Sequence, residues 1–179
     1  ESQLILFEKE AFYKSGVKSI LIPSKTEIIE ESCFEDCSQL KKLTFSKNLE
    51  KCLIKERALY NSGIQQLSIT KAIENIEISS FEKCTKLKKV TFSDDLSFRK
   101  IEDNVFQSTA IENLTIPATI KSIGKSSFCD CKQLKSVTFR GENIYIDQFA
   151  FSGCENIQTV KCKDQIKFVP ARSTEILNQ

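Results

Sequence analysis

The sequence predicts a mainly β leucine-rich-repeat solenoid. It is expected as a right-handed superhelix with one parallel β-sheet on the concave face and short strands or single helical or 3₁₀ turns on the return side. Three observations predict it. First, a twelve-residue phrase occurs as FEDCSQLKKLTF from Phe34, FEKCTKLKKVTF from Phe81 and FCDCKQLKSVTF from Phe128, each copy 47 positions after the last. That period is too long for one structural repeat. Second, weaker relatives stand halfway between: FYKSGVKSILIP from Phe12, LYNSGIQQLSIT from Leu59 and FQSTAIENLTIP from Phe106, with FSGCENIQTVKC following from Phe151. Third, every unit ends in an apolar triplet spaced LxxLxL, and the triplets recur every 23 or 24 residues.

The triplets are Val17/Ile20/Ile22, Leu40/Leu43/Phe45, Ile64/Leu67/Ile69, Leu87/Val90/Phe92, Ile111/Leu114/Ile116, Leu134/Val137/Phe139 and Ile157/Val160/Cys162. The end of each triplet alternates as a strand does, so its second and third apolar residues point inward and the residue between them points out. Parallel strands stacked ~4.8 Å apart satisfy each other's backbone groups. Residues 1–164 thus form seven repeats of about 23 residues, and 165–179, which lack another such unit, form an atypical cap or a truncated repeat.

The return segments carry columns of their own. Phe12, Phe34, Leu59, Phe81, Phe106, Phe128 and Phe151 form a ladder, and five positions before each stands Phe7, Ile29, Ile54, Ile76, Ile101, Ile123 or Ile146. No rung has a core of its own, so these columns must bury against their neighbours. A small-residue column follows the ladder: Ser15, Cys37, Ser62, Cys84, Ser108, Cys131 and Cys154.

The pattern I-x₄-F-x₂-C-x₂-L-x₂-[VL]-x-F, from about Leu4 to Cys162, resembles the BspA-like leucine-rich repeats, also called the Treponema pallidum type. The resemblance implies a solenoid with parallel strands on one face. It also implies a surface or secreted protein that contributes to adhesion, and it supplies no catalytic residues.

Six of the eight cysteines read as small core fillers, including Cys33 ahead of the ladder and Cys162 as a third strand residue. Cys52 and Cys129 fall in variable columns and are expected to be more exposed. Only Cys131 and Cys154, in one column on adjacent rungs, are placed for a bridge. Their parallel side chains are poorly aimed for one, and the reduced state is expected. The cysteine spacings lack a second zinc-type pair, and the chain has no His, so no metal site and no cofactor are expected.

Outward positions of the strand units hold Lys18, Lys41, Lys42, Lys88, Lys89, Lys135, Arg140, Lys161 and Lys163, against Glu112 as the one acidic residue. The whole chain has 26 basic and 24 acidic residues, so this leaves one positive face and a net acidic remainder. A central column of the same face is rich in hydroxyls, with Thr44, Thr91, Thr115 and Thr138. Solenoids use this extended surface for partners, and segregated charge steers acidic ones. The expected partner is therefore a protein or an acidic glycan. Without outward aromatics for base stacking, nucleic acid is not expected.

No apolar run approaches membrane-span length, so no direct membrane insertion is expected. The chain opens at Glu1 and contains no Met, as a processed product or an excised piece would. Without His, a Gly-rich phosphate loop or metal-ligand spacing, no enzyme activity is expected. A non-enzymatic recognition module of a cell-surface or secreted adhesion protein is the leading expectation; an intracellular protein-interaction scaffold is the alternative. Self-association through exposed solenoid ends is a further expectation.

Overall fold

Alternating inward and outward residues make a short strand of every LxxLxL unit. In the computed structural model, which describes residues 6–162, these face strands are β1 (Ser19–Ile22), β3 (Lys42–Phe45), β5 (Gln66–Ile69), β7 (Lys89–Phe92), β9 (Asn113–Ile116), β11 (Ser136–Phe139) and β13 (Thr159–Cys162). Numbered in the same chain order, the return side holds β2 (Ile28–Ile29), β4 (Cys52–Ile54), β6 (Ile73–Ile76), β8 (Lys100–Ile101), β10 (Ser122–Ile123) and β12 (Tyr145–Ile146). The fold is a parallel β-solenoid. Lys163 and the expected cap at 165–179 lie outside the described residues.

The inward columns behave as the periodicity requires. Leu43, Leu67, Val90, Leu114 and Val137 are buried at the centres of their strands, whereas Ile20 and Val160 in the end rungs are partly buried. Behind them Phe34, Phe81, Phe106 and Phe128 are fully buried. Consecutive ladder rings stack with centroids 5.0 Å apart for Phe12–Phe34, 5.6 Å for Phe81–Phe106, 5.4 Å for Phe106–Phe128 and 5.2 Å for Phe128–Phe151. Such pairs add ~0.5–1.5 kcal/mol each beyond the area they bury. Leu59 interrupts the ring stack between Phe34 and Phe81.

The return turns show why no helix forms among the described residues. A helix would send each N–H to its own chain four residues back. Here Phe81 N–H donates to Val105 O at 3.0 Å, Ser79 N–H to Asp103 O at 3.1 Å and Lys83 N–H to Gln107 O at 2.8 Å, all on the next rung. Ser79 and Lys83 reach those bonds by adopting positive φ, 57° and 59°. The same pair flanks other ladder positions, as Glu10/Lys14, Ser32/Asp36, Arg57/Asn61, Asn104/Ser108 and Ser126/Asp130. A left-handed non-glycine residue costs roughly 1–2 kcal/mol, which the rung-to-rung bonds offset. The return side therefore uses short strands joined by turns in which these rung-to-rung bonds alternate with single i→i−3 bonds, such as Glu82 N–H to Ser79 O at 3.1 Å and Cys84 N–H to Phe81 O at 3.3 Å, without extending into a helix.

The expected single sheet on the strand face divides into three ladders: β1–β3, β5–β7 and β9–β11–β13. Both breaks follow the longer connections. From Phe45 to Leu59 and from Phe92 to Phe106 the chain takes 14 positions to reach the next ladder residue, where the other four connections take 12. Each longer connection buries a leucine, Leu49 or Leu96, just past the strand, and leaves Phe45 or Phe92 only partly buried. Parallel pairing needs successive strands to follow the same path. The extra length breaks that match.

The thiol column needs one correction. Its fifth member is Thr109, not Ser108: Thr109 is buried, whereas Ser108 is partly exposed at a positive-φ turn position. Three places past the ladder is the position that faces the preceding rung. There Cys37 Sγ donates to Phe12 O at 2.9 Å, Cys84 Sγ to Leu59 O at 3.1 Å, Cys131 Sγ to Phe106 O at 3.2 Å and Cys154 Sγ to Phe128 O at 3.0 Å. Hydroxyls of Ser15, Ser62 and Thr109 lie 3.2–3.4 Å from Cys37, Cys84 and Cys131 on the next rung. The column thus satisfies buried carbonyls as well as filling space. All eight cysteines are free, Cys131 and Cys154 included.

Two further cysteines depart from expectation. Cys52, expected to be exposed, is buried because it faces inward on β4, opposite Ile73 of β6. Cys162, expected in the core, is exposed, since no described rung stacks beyond β13.

Candidate functional site

Outward residues of the face strands, and of the positions immediately flanking them, fan along one surface. Lys18, Lys41, Lys42, Thr44, Lys88, Lys89, Thr91, Thr115, Lys135, Arg140 and Lys161 are all exposed there, and Thr138 is half-buried. Register places Thr138 beside Thr115 and Lys161, and Thr91 beside Ser68. Thr91 Oγ1 donates to Ser68 Oγ at 3.1 Å, and Ser136 Oγ donates to Asn113 Oδ1 at 2.6 Å, so polar side chains bridge neighbouring rungs.

The two breaks in the sheet gather part of this set. Gln65 N–H still donates to Lys41 O at 3.3 Å, and Glu112 N–H to Lys88 O at 3.3 Å. Past those bonds β3 and β5, and likewise β7 and β9, share no ladder. Each pair is pinned at its start and open beyond. The first opening, about 690 Å³, brings together Lys41, Lys42 and Thr44. The second, about 490 Å³, brings together Lys88, Lys89, Thr91, Thr115 and Arg140. Lys18, Lys135, Thr138 and Lys161 line neither.

Tertiary structure changes the charge of the two openings. Lys47 and Lys71, absent from the sequence-based set, line the first, which has no acidic residue in its wall. Arg140, counted as free positive charge, is held by Asp94: its Nη1 lies 2.8 and 3.0 Å from the two carboxylate oxygens. Asp94 and Glu112 both line the second opening. The 14-position connections were the signal that could have pointed to Lys47, which sits on one of them.

A second polar cluster lies on the return side. Arg57 donates to both oxygens of Glu35, at 2.6 Å through Nη2 and 3.1 Å through Nε, and Ser32 Oγ donates to Glu35 at 2.6 Å. The Arg57 guanidinium lies 3.8 Å from the centre of the Tyr60 ring, whose hydroxyl is contacted by Lys83. Burial pushes the Glu35 carboxyl up, but the Arg57 and Ser32 hydrogen bonds outweigh it and hold the group below its ordinary range. The cluster ties rung to rung, as the more exposed single contacts Lys9–Glu31 and Lys25–Glu50 also do.

Five thiols are held above the ordinary range, whereas the hydrogen bond with Cys154 draws the buried Cys131 thiol down. Burial pushes Cys33 and Cys52 up to about 12 and Cys84 up to about 11. Cys129 is pushed up to about 11, by burial first and then by Asp130. Cys154 is held up by its contact with Cys131 and by burial. Native alkylation followed by mass spectrometry is expected to modify Cys162 first and Cys129 more slowly, with the other six reacting only in denaturant. Native labelling of Cys84 would mean that the column is not closed.

A family model for the BspA-type leucine-rich repeat region matches in six copies over residues 6–100 and 99–173. This chain belongs to the BspA-type leucine-rich repeat family. No curated protein matches it. Among solved structures it is similar to the pneumococcal vaccine antigen PcpA, at 21% identity and a TM-score of 0.52, covering 81% of this chain and 50% of that one. A leucine-rich cell surface protein from Faecalibacterium prausnitzii A2-165 shares 23% identity at a TM-score of 0.53, over 74% of this chain and 41% of that one. A T. pallidum leucine-rich repeat protein shares 20% identity at a TM-score of 0.52, over 86% and 60%. These likenesses concern the fold. The BspA-type chain spans about half the length of such structures.

Proposed function

We propose that this BspA-type solenoid is a non-enzymatic recognition module of a cell-surface or secreted adhesion protein, binding an acidic protein or glycan through its strand face. The observation that carries the reading is the segregation of charge: among the described residues, eight basic residues and one acidic residue occupy the outward positions of the strand units in a nearly neutral chain. A face of one sign raises the local concentration and on-rate of partners of the other sign, increasingly so at low salt. The surface location draws support from the family and from solved neighbours described as a cell surface protein and a vaccine antigen.

The test is binding of the purified protein to intact mammalian cells at low and physiological salt, beside a Lys41/Lys42/Lys88/Lys89→Glu variant that keeps its circular dichroism spectrum. Saturable binding, stronger at low salt and lost in the variant, is expected. Binding that survives the four reversals would remove the strand face from the reading.

One observation favours a second reading, an intracellular interaction scaffold: all eight cysteines are free and six are buried, as a reducing compartment would maintain. Surface biotinylation of intact cells expressing the full-length protein separates the two. A protein that stays unlabelled until lysis belongs inside.

A further inference from the structure

The two openings of the strand face occupy equivalent places in the repeat but carry opposite decoration. Two residues past Phe45 stands Lys47, and two past Phe92 stands Asp94. Next to the first apolar residue of the following rung stand Gln65 in the first case and Glu112 in the second. Lys71 of the first opening corresponds to Ala118 in the second. The result is four exposed lysines, Lys41, Lys42, Lys47 and Lys71, around a cleft without a carboxylate in its wall. Among the described residues none of the four takes part in an ion pair. The second opening answers its three cations with Asp94 and Glu112, and the Asp94 carboxylate already occupies Arg140.

We propose that the cleft between β3 and β5 is a sulfate-recognising subsite that takes a short stretch of a sulfated polysaccharide. The inference rests on the reading of the strand face as the partner surface. Its cations are all lysines, compact and rotatable charges that suit distributed sulfate oxygens; a planar carboxylate is better matched by the arginine fork, which the cleft lacks. Between the lysines lie Thr44, Gln66 and Ser68, which donate to and accept from sugar hydroxyls, and Phe45 offers a partly exposed apolar ring at the cleft floor. A volume of about 690 Å³ falls within the ~300–1,000 Å³ of ordinary ligand clefts. The β3–β5 pair is pinned at its start and open beyond, so an extended segment has access from the open end.

The experiment measures fluorescence polarisation of a labelled, fully sulfated glucosamine–uronate hexasaccharide and of its desulfated counterpart on the whole protein, at low and physiological salt. The sulfated probe is expected to bind and the desulfated one to fail. Each exposed ion contact contributes severalfold at most, so Lys41/Lys42/Lys47/Lys71→Gln together is expected to weaken binding by about tenfold or more. Lys88/Lys89/Arg140→Gln is expected to weaken it by less than about threefold. The single change Lys47→Asp, which places at the first opening what the second already has, is expected to act in the same direction as the quadruple variant.

A second readout uses unaltered protein. Bound probe is expected to shield Lys41, Lys42, Lys47 and Lys71 from acylation more than Lys88 and Lys89. Four outcomes overturn the proposal: no binding of the sulfated probe, equal losses in the two variant sets, equal shielding of the two openings, or displacement by polyglutamate or RNA as readily as by unlabelled sulfated glycan. If cell binding still depends on the lysines while the hexasaccharide fails, the strand-face reading stands and only the sulfated ligand falls.

Discussion

Phe81→Ala is expected to lower unfolding stability by about 3–5 kcal/mol, the range for truncating a fully buried aromatic. Phe81 is fully buried, lies in the fourth of seven rungs and stacks on Phe106 at 5.6 Å with an interplanar angle of 11°. On the other side the ladder holds Leu59, so no second ring can slide into the space. Left-handed turns on both sides, at Ser79 and Lys83, fix the backbone to the next rung and limit collapse around the cavity. Urea unfolding followed by circular dichroism measures the loss. Phe12→Ala, at a partly buried end of the ladder, is expected to cost less because that site is already open on one side. A Phe81→Ala loss below about 1 kcal/mol would show that the ladder is not the axis of the core.

Among the polar residues of the return side, Arg57→Ala is expected to be the most damaging change. It leaves the Glu35 carboxylate, only 11% exposed, with Ser32 as its remaining side-chain donor. Hydrogen bonds to charged groups contribute ~1.5–3 kcal/mol. Arg57 itself is 36% exposed, so solvent screening places the expected loss near the lower end, about 1–2 kcal/mol.

The pH dependence identifies the cause. The folded-state pKa of Glu35 is held below its ordinary value, so the ionised group stabilises the fold fully above the unfolded value of about 4.3. That contribution is lost as pH falls through the folded value. Glu35→Gln removes the titrating group and is expected to flatten this part of the profile. Thermal melts of wild type and both variants between neutral and acid pH measure it. A variant whose stability falls as steeply as the wild type's over this window would assign the acid loss to other carboxylates.

Much of the molecule follows from repetition. Seven LxxLxL triplets each became a strand, and the ladder from Phe12 to Phe151 became the core, because a column repeated every 23 or 24 residues has one environment and burial dictates its chemistry. The return turns were less legible. Apart from Gly153, their positive-φ residues are Glu, Lys, Ser, Arg, Asn and Asp, a mixture without the compositional mark that glycine supplies. Cys52 was misplaced for a related reason: β4 lies on a lengthened connection, so its column cannot be found by counting from the ladder of the shorter rungs.

The sequence by itself determined the number of rungs, the inward columns and the outward residues, because each depends on local spacing. Only the tertiary structure decided that the strand face opens twice. It also decided that Lys47 and Lys71 join Lys41 and Lys42 at one opening and that Asp94 neutralises Arg140 at the other. Those pairings join residues from different rungs at non-equivalent positions. No periodic constraint governs an outward side chain, and its neighbours depend on where two lengthened connections push the strands apart.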